Sequence, residues 1–312
     1  MTVNPVSVEH LFHSYGPKII YQDLSLEFEP GKIYGLLGKN GVGKTTLIKI
    51  LMGFLKPKAG FCRIFGDLAN AISPATRARV GLLFERHLTY NFFSIAQVER
   101  FMARFYPKWK RERYYELVDL LGLPSNHKIS WMSEGQRSQV VLGLILAQDP
   151  ELLILDDYSM GLDAGYRRLF VDYLREHLKD GQHTVILTSH VIQDMNRFVD
   201  DVVFLRRGGE VTVTGLEAFS SNFHCFRLPR DMVKGEVLQS KLAKLACQSA
   251  GRTLEHIINL EEHASYFELF TFNTKEEVLR DLEGLGLKAS PPILTEVAMD
   301  LEDAFVGYTG RH

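Results

Sequence analysis

Residues 38–46 read GKNGVGKTT and fit the pattern G-x-x-x-x-G-K-[ST] in full. The apolar run Ile33 to Leu37 precedes them, and TLIKILMGFL follows at helical spacing, which is the strand–turn–helix setting such a loop requires. The chemistry on offer is the binding of nucleotide phosphates. Gly38, Gly41 and Gly43 allow a tight turn whose backbone N–H groups point inward at phosphate oxygens. The expected cradle is therefore Gly38, Lys39, Asn40, Gly41, Val42, Gly43, Lys44, Thr45 and Thr46. Lys44 is placed to reach the β- and γ-phosphates, and Thr45 to offer a hydroxyl to Mg²⁺. The helix that starts there adds its positive end.

A second site element is LLILDD, residues 152–157, where four apolar residues run into Asp156 and Asp157. Asp156 ends an apolar strand, where a carboxylate can complete the Mg²⁺ shell of a bound nucleotide. The competing role is capping a following helix.

These groups need elements to carry them. Residues 3–34 alternate apolar and polar positions between turn signals at Tyr15-Gly16-Pro17 and Glu29-Pro30-Gly31, which predicts short antiparallel strands. Apolar strands recur at 33–37, 152–155, 184–188 and 202–205 with helices between them. That alternation predicts an α/β core with a parallel sheet covered by helices. Residues 86–148 read as a helical insertion. Ser94 and Gln97 form a capping-box pair, and Pro107 splits two helical stretches. After Gly215 the pattern restarts as strand (224–228), helix (237–251), two strands (253–260 and 266–272), helix (275–286) and strand (288–294). This βαββαβ order suits a small α+β unit of ferredoxin-like type over 216–312.

The chain has 312 residues, 46% of them hydrophobic and 24% charged, with a formal net charge of −2. This describes a folded chain of one large and one smaller domain and gives no reason to expect nucleic acid. Cys62, Cys225 and Cys247 lie far apart without metal spacing and read as reduced thiols. The N-terminus, MTVNPVSVEH, has no signal-peptide pattern, and no run reaches membrane-helix length.

MSEGQ at 132–136 lies a short interval before LLILDD and narrows the class. With it, residues 3–215 resemble the nucleotide-binding subunit of an ABC transporter. Tyr15 resembles the aromatic that stacks on adenine, 38–46 the Walker A loop, and MSEGQ the signature usually written LSGGQ. Asp156 resembles the Walker B aspartate, MGLD at 160–163 the D-loop, and His190 in ILTSH the switch histidine. The resemblance implies a P-loop core with an antiparallel β subdomain and a helical subdomain. It also implies two subunits, identical or different, that face head to tail around two MgATP molecules. Ser133, Gly135 and Gln136 of one copy would then meet the γ-phosphate held by the other. A separate membrane permease would be driven by them, with this subunit peripheral on the cytoplasmic face of the membrane. DLEDAFVGYTG at 300–310 resembles the closing segment of export-type subunits.

Three positions depart from the family pattern. Glu134 replaces a glycine, and a carboxylate aimed at phosphate would repel it, so its side chain is expected to point away. Glu85 stands where the family carries a Mg²⁺-ligating glutamine; its oxygen can serve the same hard cation, against the alternative of a surface residue. Asp157 stands where the family has the glutamate that deprotonates the attacking water. It has the same charge and one methylene less reach, and a misplacement of about 1 Å can cost on the order of 10²-fold in rate. Slow ATP hydrolysis is the expectation, with Asp157, His190 and Lys44 as the catalytic groups; the alternative is that Asp157 only caps a turn. RFYPKWKRERYY at 104–115 interleaves basic and aromatic residues. It is read as an amphipathic helix with a solvated basic face, with anionic lipid or single-stranded nucleic acid as the other readings. Two rival functions are a soluble ABC ATPase acting on nucleic acid or ribosomes, and a nucleotide-gated regulatory subunit that barely hydrolyses ATP.

Overall fold

A computed structural model describes residues 3–84, 90–158, 162–179, 181–189, 191–230, 257–284 and 294–310. Glu85, Met160, Gly161, His190, Cys247 and the expected helix at 237–251 lie outside the described residues. The chain divides into two compact units, Met1–Val213 and Thr214–His312.

The first unit contains two sheets. Strands β1 (Val6–Tyr15), β2 (Lys18–Phe28), β4 (Ala59–Ile64) and β5 (Asp67–Leu68) form an antiparallel sheet in the order β2-β1-β4-β5. The larger sheet holds β3 (Ile33–Leu37), β6 (Val80–Leu83), β7 (Leu152–Leu155), β8 (Thr184–Leu187), β9 (Asp201–Leu205) and β10 (Val211–Gly215), in the order β10-β9-β3-β8-β7-β6. The pairs β9–β3, β3–β8, β8–β7 and β7–β6 are parallel. All four residues of β7 are buried, which is why this strand carries no polar alternation. Burying each of them contributes about 1.5–3 kcal/mol.

Register is what builds the site. Leu155 and Gly35 both pair with Leu187. The chain therefore leaves β3, β7 and β8 at one common edge, and there it delivers the loop after Leu37, the two aspartates after Leu155 and Thr188 after Leu187. Helix α1 (Lys44–Leu51) starts at that edge.

Between β6 and β7 lie α3 (Ile95–Met102), α4 (Arg111–Val118) and α5 (Glu134–Ala147), preceded in the chain by the one-turn α2 (Pro74–Arg77). The Ser94/Gln97 capping box opens α3. Fully buried Tyr114 centres a separate core with Val98, Val118 and Leu144. Its hydroxyl donates to the carbonyl of Ile95 at 2.9 Å. Helix α6 (Ala164–His177) then connects β7 to β8, and the Asp163 side chain caps it.

The second unit contains α7 (Leu216–Asn222), β11 (His224–Pro229), β12 (Ile257–Glu262), β13 (Tyr266–Thr271), α8 (Lys275–Gly284), β14 (Thr295–Val297) and α9 (Leu301–Thr309). Its sheet runs β12-β13-β11-β14 with every neighbouring pair antiparallel. The last strand lies just beyond the expected 288–294, whose residues 288–293 are outside the described ones. Phe226, Leu228, Phe267, Leu269, Val278 and Leu282 make a core of this unit's own. A chain ending at Gly215 keeps β10 and is expected to bind ATP with unchanged affinity, as calorimetry on the folded truncation would show. Lost binding in that folded protein would mean that residues 216–312 build part of the nucleotide site.

Candidate nucleotide site

The loop after β3 is shaped by contacts only glycine permits. Gly43 has φ 121°, and a Cβ there would lie 2.5 Å from the Tyr21 hydroxyl and 2.7 Å from Ile20. That hydroxyl donates to the Gly43 carbonyl at 2.5 Å, and the same carbonyl accepts the first helical bond from Leu47 N–H at 2.8 Å. Burial holds the Tyr21 phenol well above its ordinary pKa, so it stays a donor. A Cβ at Gly38 would sit 2.6 Å from the Leu205 carbonyl oxygen. Tyr21 and Leu205 thus press the loop into its turn from two sides.

A cavity of about 290 Å³ opens over this loop. Tyr15, Asn40, Gly41, Gly43, Lys44, Thr45, Thr46, Asp156 and Asp157 line it, together with Lys18, Ile20 and Thr188. Gly38, Lys39 and Val42 do not line it; the Val42 side chain is buried in the core beneath. Lys44 Nζ donates to the carbonyl oxygens of Gly38 at 2.5 Å and Lys39 at 3.3 Å. Burial lowers the Lys44 pKa, and the charges of Asp156 and Asp157 oppose that shift. The two carboxylates favour the ammonium form, which is the form that binds phosphate.

Thr188 ties the two aspartates together. The Asp157 N–H donates to Thr188 Oγ1 at 2.7 Å, and Thr188 Oγ1 donates to Asp156 Oδ1 at 2.9 Å. Asp156 is 2% exposed. Asp157 has φ 49°, a left-handed conformation that aspartate and asparagine tolerate better than longer side chains. Thr188 was not singled out in the sequence. Its signal was its place at the end of the apolar run 184–187, two residues before His190.

Tyr15 ends β1 at the cavity mouth, is 48% exposed, and stands edge-on to the buried His13 ring at 4.9 Å. An exposed ring held by a buried one is suited to stacking on a base. Tyr15→Ala is expected to weaken ATP binding by about 1–3 kcal/mol, by comparison with base–aromatic stacking. Equal ATP affinities of variant and wild type in a fluorescence titration would return Tyr15 to a purely structural role.

Ser133, Gly135 and Gln136 are not among the residues of this cavity. Ser133 Oγ accepts from Gln136 N–H at 3.3 Å, and Gln136 Oε1 accepts from Ser133 N–H at 2.9 Å, which caps α5. Glu134 is exposed. A Cβ on Gly135 would meet the Tyr166 ring at 2.5 Å, so glycine is needed there for α6 to pack on α5. Four of the five cations of the basic run 104–115 have acidic partners within the same unit. Lys108 meets Glu151 at 3.3 Å, Lys110 meets Asp149 at 2.8 Å, Arg113 meets Asp149 at 2.5 Å, and Arg111 lies 3.8 Å from Glu99.

The ABC transporter family model matches residues 21–159. A Nod factor export ATP-binding protein I of Rhizobium johnstonii is 29% identical over 217 residues, which cover 67% of this chain and 70% of that one. An uncharacterized ABC transporter ATP-binding protein of Bacillus subtilis is 30% identical over 215 residues, 67% of this chain and 70% of its own. A solved ATP-binding subunit of an ABC transporter matches with a TM-score of 0.61 at 22% identity, over 69% of this chain and 92% of that chain. A loop shaped for phosphate, two carboxylates at the neighbouring strand end and these likenesses agree: the chain belongs to the ABC transporter family, as an ATP-binding protein and an ATPase.

Proposed function

We propose that this chain is the ATP-binding subunit of an exporter, with residues 1–215 as its ATPase domain and 216–312 as a separate accessory domain. The observation that carries the reading is the gathering of Tyr15, Lys44, Thr45, Asp156 and Asp157 around one cavity. The base lies on Tyr15, the phosphates in the loop 38–46, and Lys44 moves from its loop carbonyls to the terminal phosphates. Thr45 and Asp156 supply the hard oxygen donors that Mg²⁺ prefers, and Glu85 is assigned to the same shell. When bound, Mg²⁺ offsets the charge of the β- and γ-phosphates. Asp157 orients the attacking water and takes its proton, and His190 is assigned as the second catalytic group.

Ser133, Gly135 and Gln136 serve the nucleotide of a second subunit, as their separation from this chain's own cavity supports. Export is the direction named for the Rhizobium relative. The permease docks in an apolar groove of about 350 Å³. Phe54, Leu82, Phe84, Tyr90, Met102 and Tyr106 line that groove, and in the chain Glu85 directly follows Phe84. The subunit then sits on the cytoplasmic face of the membrane. Among the described residues no helix is long and apolar enough to cross it.

Sedimentation of Asp157→Asn with MgATP tests the arrangement. The expected result is an ATP-dependent doubling of mass that Ser133→Arg abolishes. A monomer at saturating MgATP would rule out pairing between identical copies and require a different second subunit.

A further inference from the structure

We propose that the C-terminal unit carries a binding site for a divalent transition-metal ion, formed by Glu261, His263 and Glu268. All three come from the β12–β13 hairpin. Glu261 and Glu268 are directly opposed across the two strands and are only 8% and 7% exposed. Like charges placed directly opposite on a sheet are destabilising, and burial strengthens the repulsion. Arg227 offsets part of it from one side of Glu268, and a dication between the two carboxylates would offset more.

The third donor is already aimed at that point. His263 Nε2 lies 3.0 Å from Glu268 Oε2 and 3.9 Å from Glu261 Oε2. One ligand atom from each of the three residues lies within 4.8 Å of the other two. Donors held at the roughly 2.0–2.2 Å that zinc keeps to nitrogen and carboxylate oxygen lie up to about 4.4 Å apart, so small side-chain movements let this trio close on an ion.

The neighbours hold these donors in place. The His263 ring stacks on Tyr266 with centroids 4.5 Å apart, and its backbone N–H donates to the Tyr266 carbonyl at 2.9 Å. Arg227 Nε donates to Glu268 Oε1 at 2.9 Å, leaving Oε2 turned toward the imidazole. Outer hydrogen bonds of this kind orient metal-binding carboxylates.

The trio faces a cavity of about 440 Å³, which offers an entry path. Among the described residues its wall also carries Asp300, Glu302 and Asp303, against a single guanidinium, Arg227. A contrasting cluster in the first unit, Asp149 with His177 and His183, lacks this character. There the single carboxylate, Asp149, already meets both Lys110 and Arg113, whereas the hairpin trio sets two carboxylates against one guanidinium, Arg227.

The test is calorimetric titration of the full chain with zinc chloride, without nucleotide or magnesium, against a weak competing chelator that silences loose surface histidines. Wild type is expected to bind one ion tightly. His263→Ala and Glu261→Gln should each weaken that site by about tenfold or more, while Asp149→Asn leaves it unchanged. Circular dichroism checks that the variants are folded; Glu261→Gln keeps the side-chain shape and relieves the repulsion, so it serves if His263→Ala fails. The cobalt-substituted protein gives a second readout, a visible absorption band that His263→Ala removes. The absence of a tight site in wild type overturns the proposal. So does a tight site that both variants leave intact, which would make the trio an ion-pair network only.

Discussion

Asp157→Asn is expected to abolish the steady-state release of phosphate while leaving MgATP binding intact. The substitution keeps shape and removes the oxygen that accepts a proton from water. A positioned general base contributes about 10²–10⁴-fold, and turnover should fall by that amount. Folding should survive for two reasons. Asparagine adopts a left-handed backbone as readily as aspartate, and position 157 has φ 49°. The hydrogen bond to Thr188 Oγ1 comes from the backbone N–H, which the substitution leaves in place. Asp157→Glu restores the reach of the family's usual residue and should raise turnover, with some loss of thermal stability because glutamate is less at ease at positive φ. Phosphate release and melting temperature, measured together on both variants, separate chemistry from folding. An Asp157→Asn protein that hydrolyses ATP as fast as wild type would make the carboxylate structural.

The second large effect concerns Lys44. Lys44→Ala should weaken ATP binding by about 1.5–3 kcal/mol, or roughly tenfold to a hundredfold in Kd, the range for hydrogen bonds to a charged group. The ammonium is half-buried beside Asp156 and Asp157 and is held near the loop carbonyls of Gly38 and Lys39. It is therefore organised before nucleotide arrives and loses little freedom on binding. Adenosine, which lacks phosphates, should bind the variant and wild type alike. Calorimetry with ATP and adenosine makes the comparison, and an unchanged ATP affinity would remove Lys44 from the phosphate site.

Much of this site depends on residues adjacent in the chain, and that much was legible in the sequence. GKNGVGKTT joins a strand to a helix, so Lys44 and Thr45 must stand at the start of α1. LLIL reads as a buried strand with Asp156 at its end, and the structure has it so. The capping box at Ser94 was legible for the same reason, since it spans three residues, whereas the one at Ser133 came only with the structure. MSEGQ and Tyr15 were identified by family resemblance, and their spacing alone does not state their roles.

The tertiary structure decided what depends on contacts between distant residues. The order β9-β3-β8-β7-β6 places Leu155 beside Leu187, and only then does Thr188 link Asp156 to Asp157. No local periodicity encodes which buried strands become neighbours, because each is apolar on both faces and fits several partners. Gly135 appears in the sequence as part of a motif, but the packing reason for it is a Tyr166 ring thirty-one residues away. The opposition of Glu261 and Glu268 is likewise a matter of register: a shift of one residue would send one carboxylate to the other face of the sheet. Local chemistry thus determined which residues could act, and strand pairing determined which of them meet.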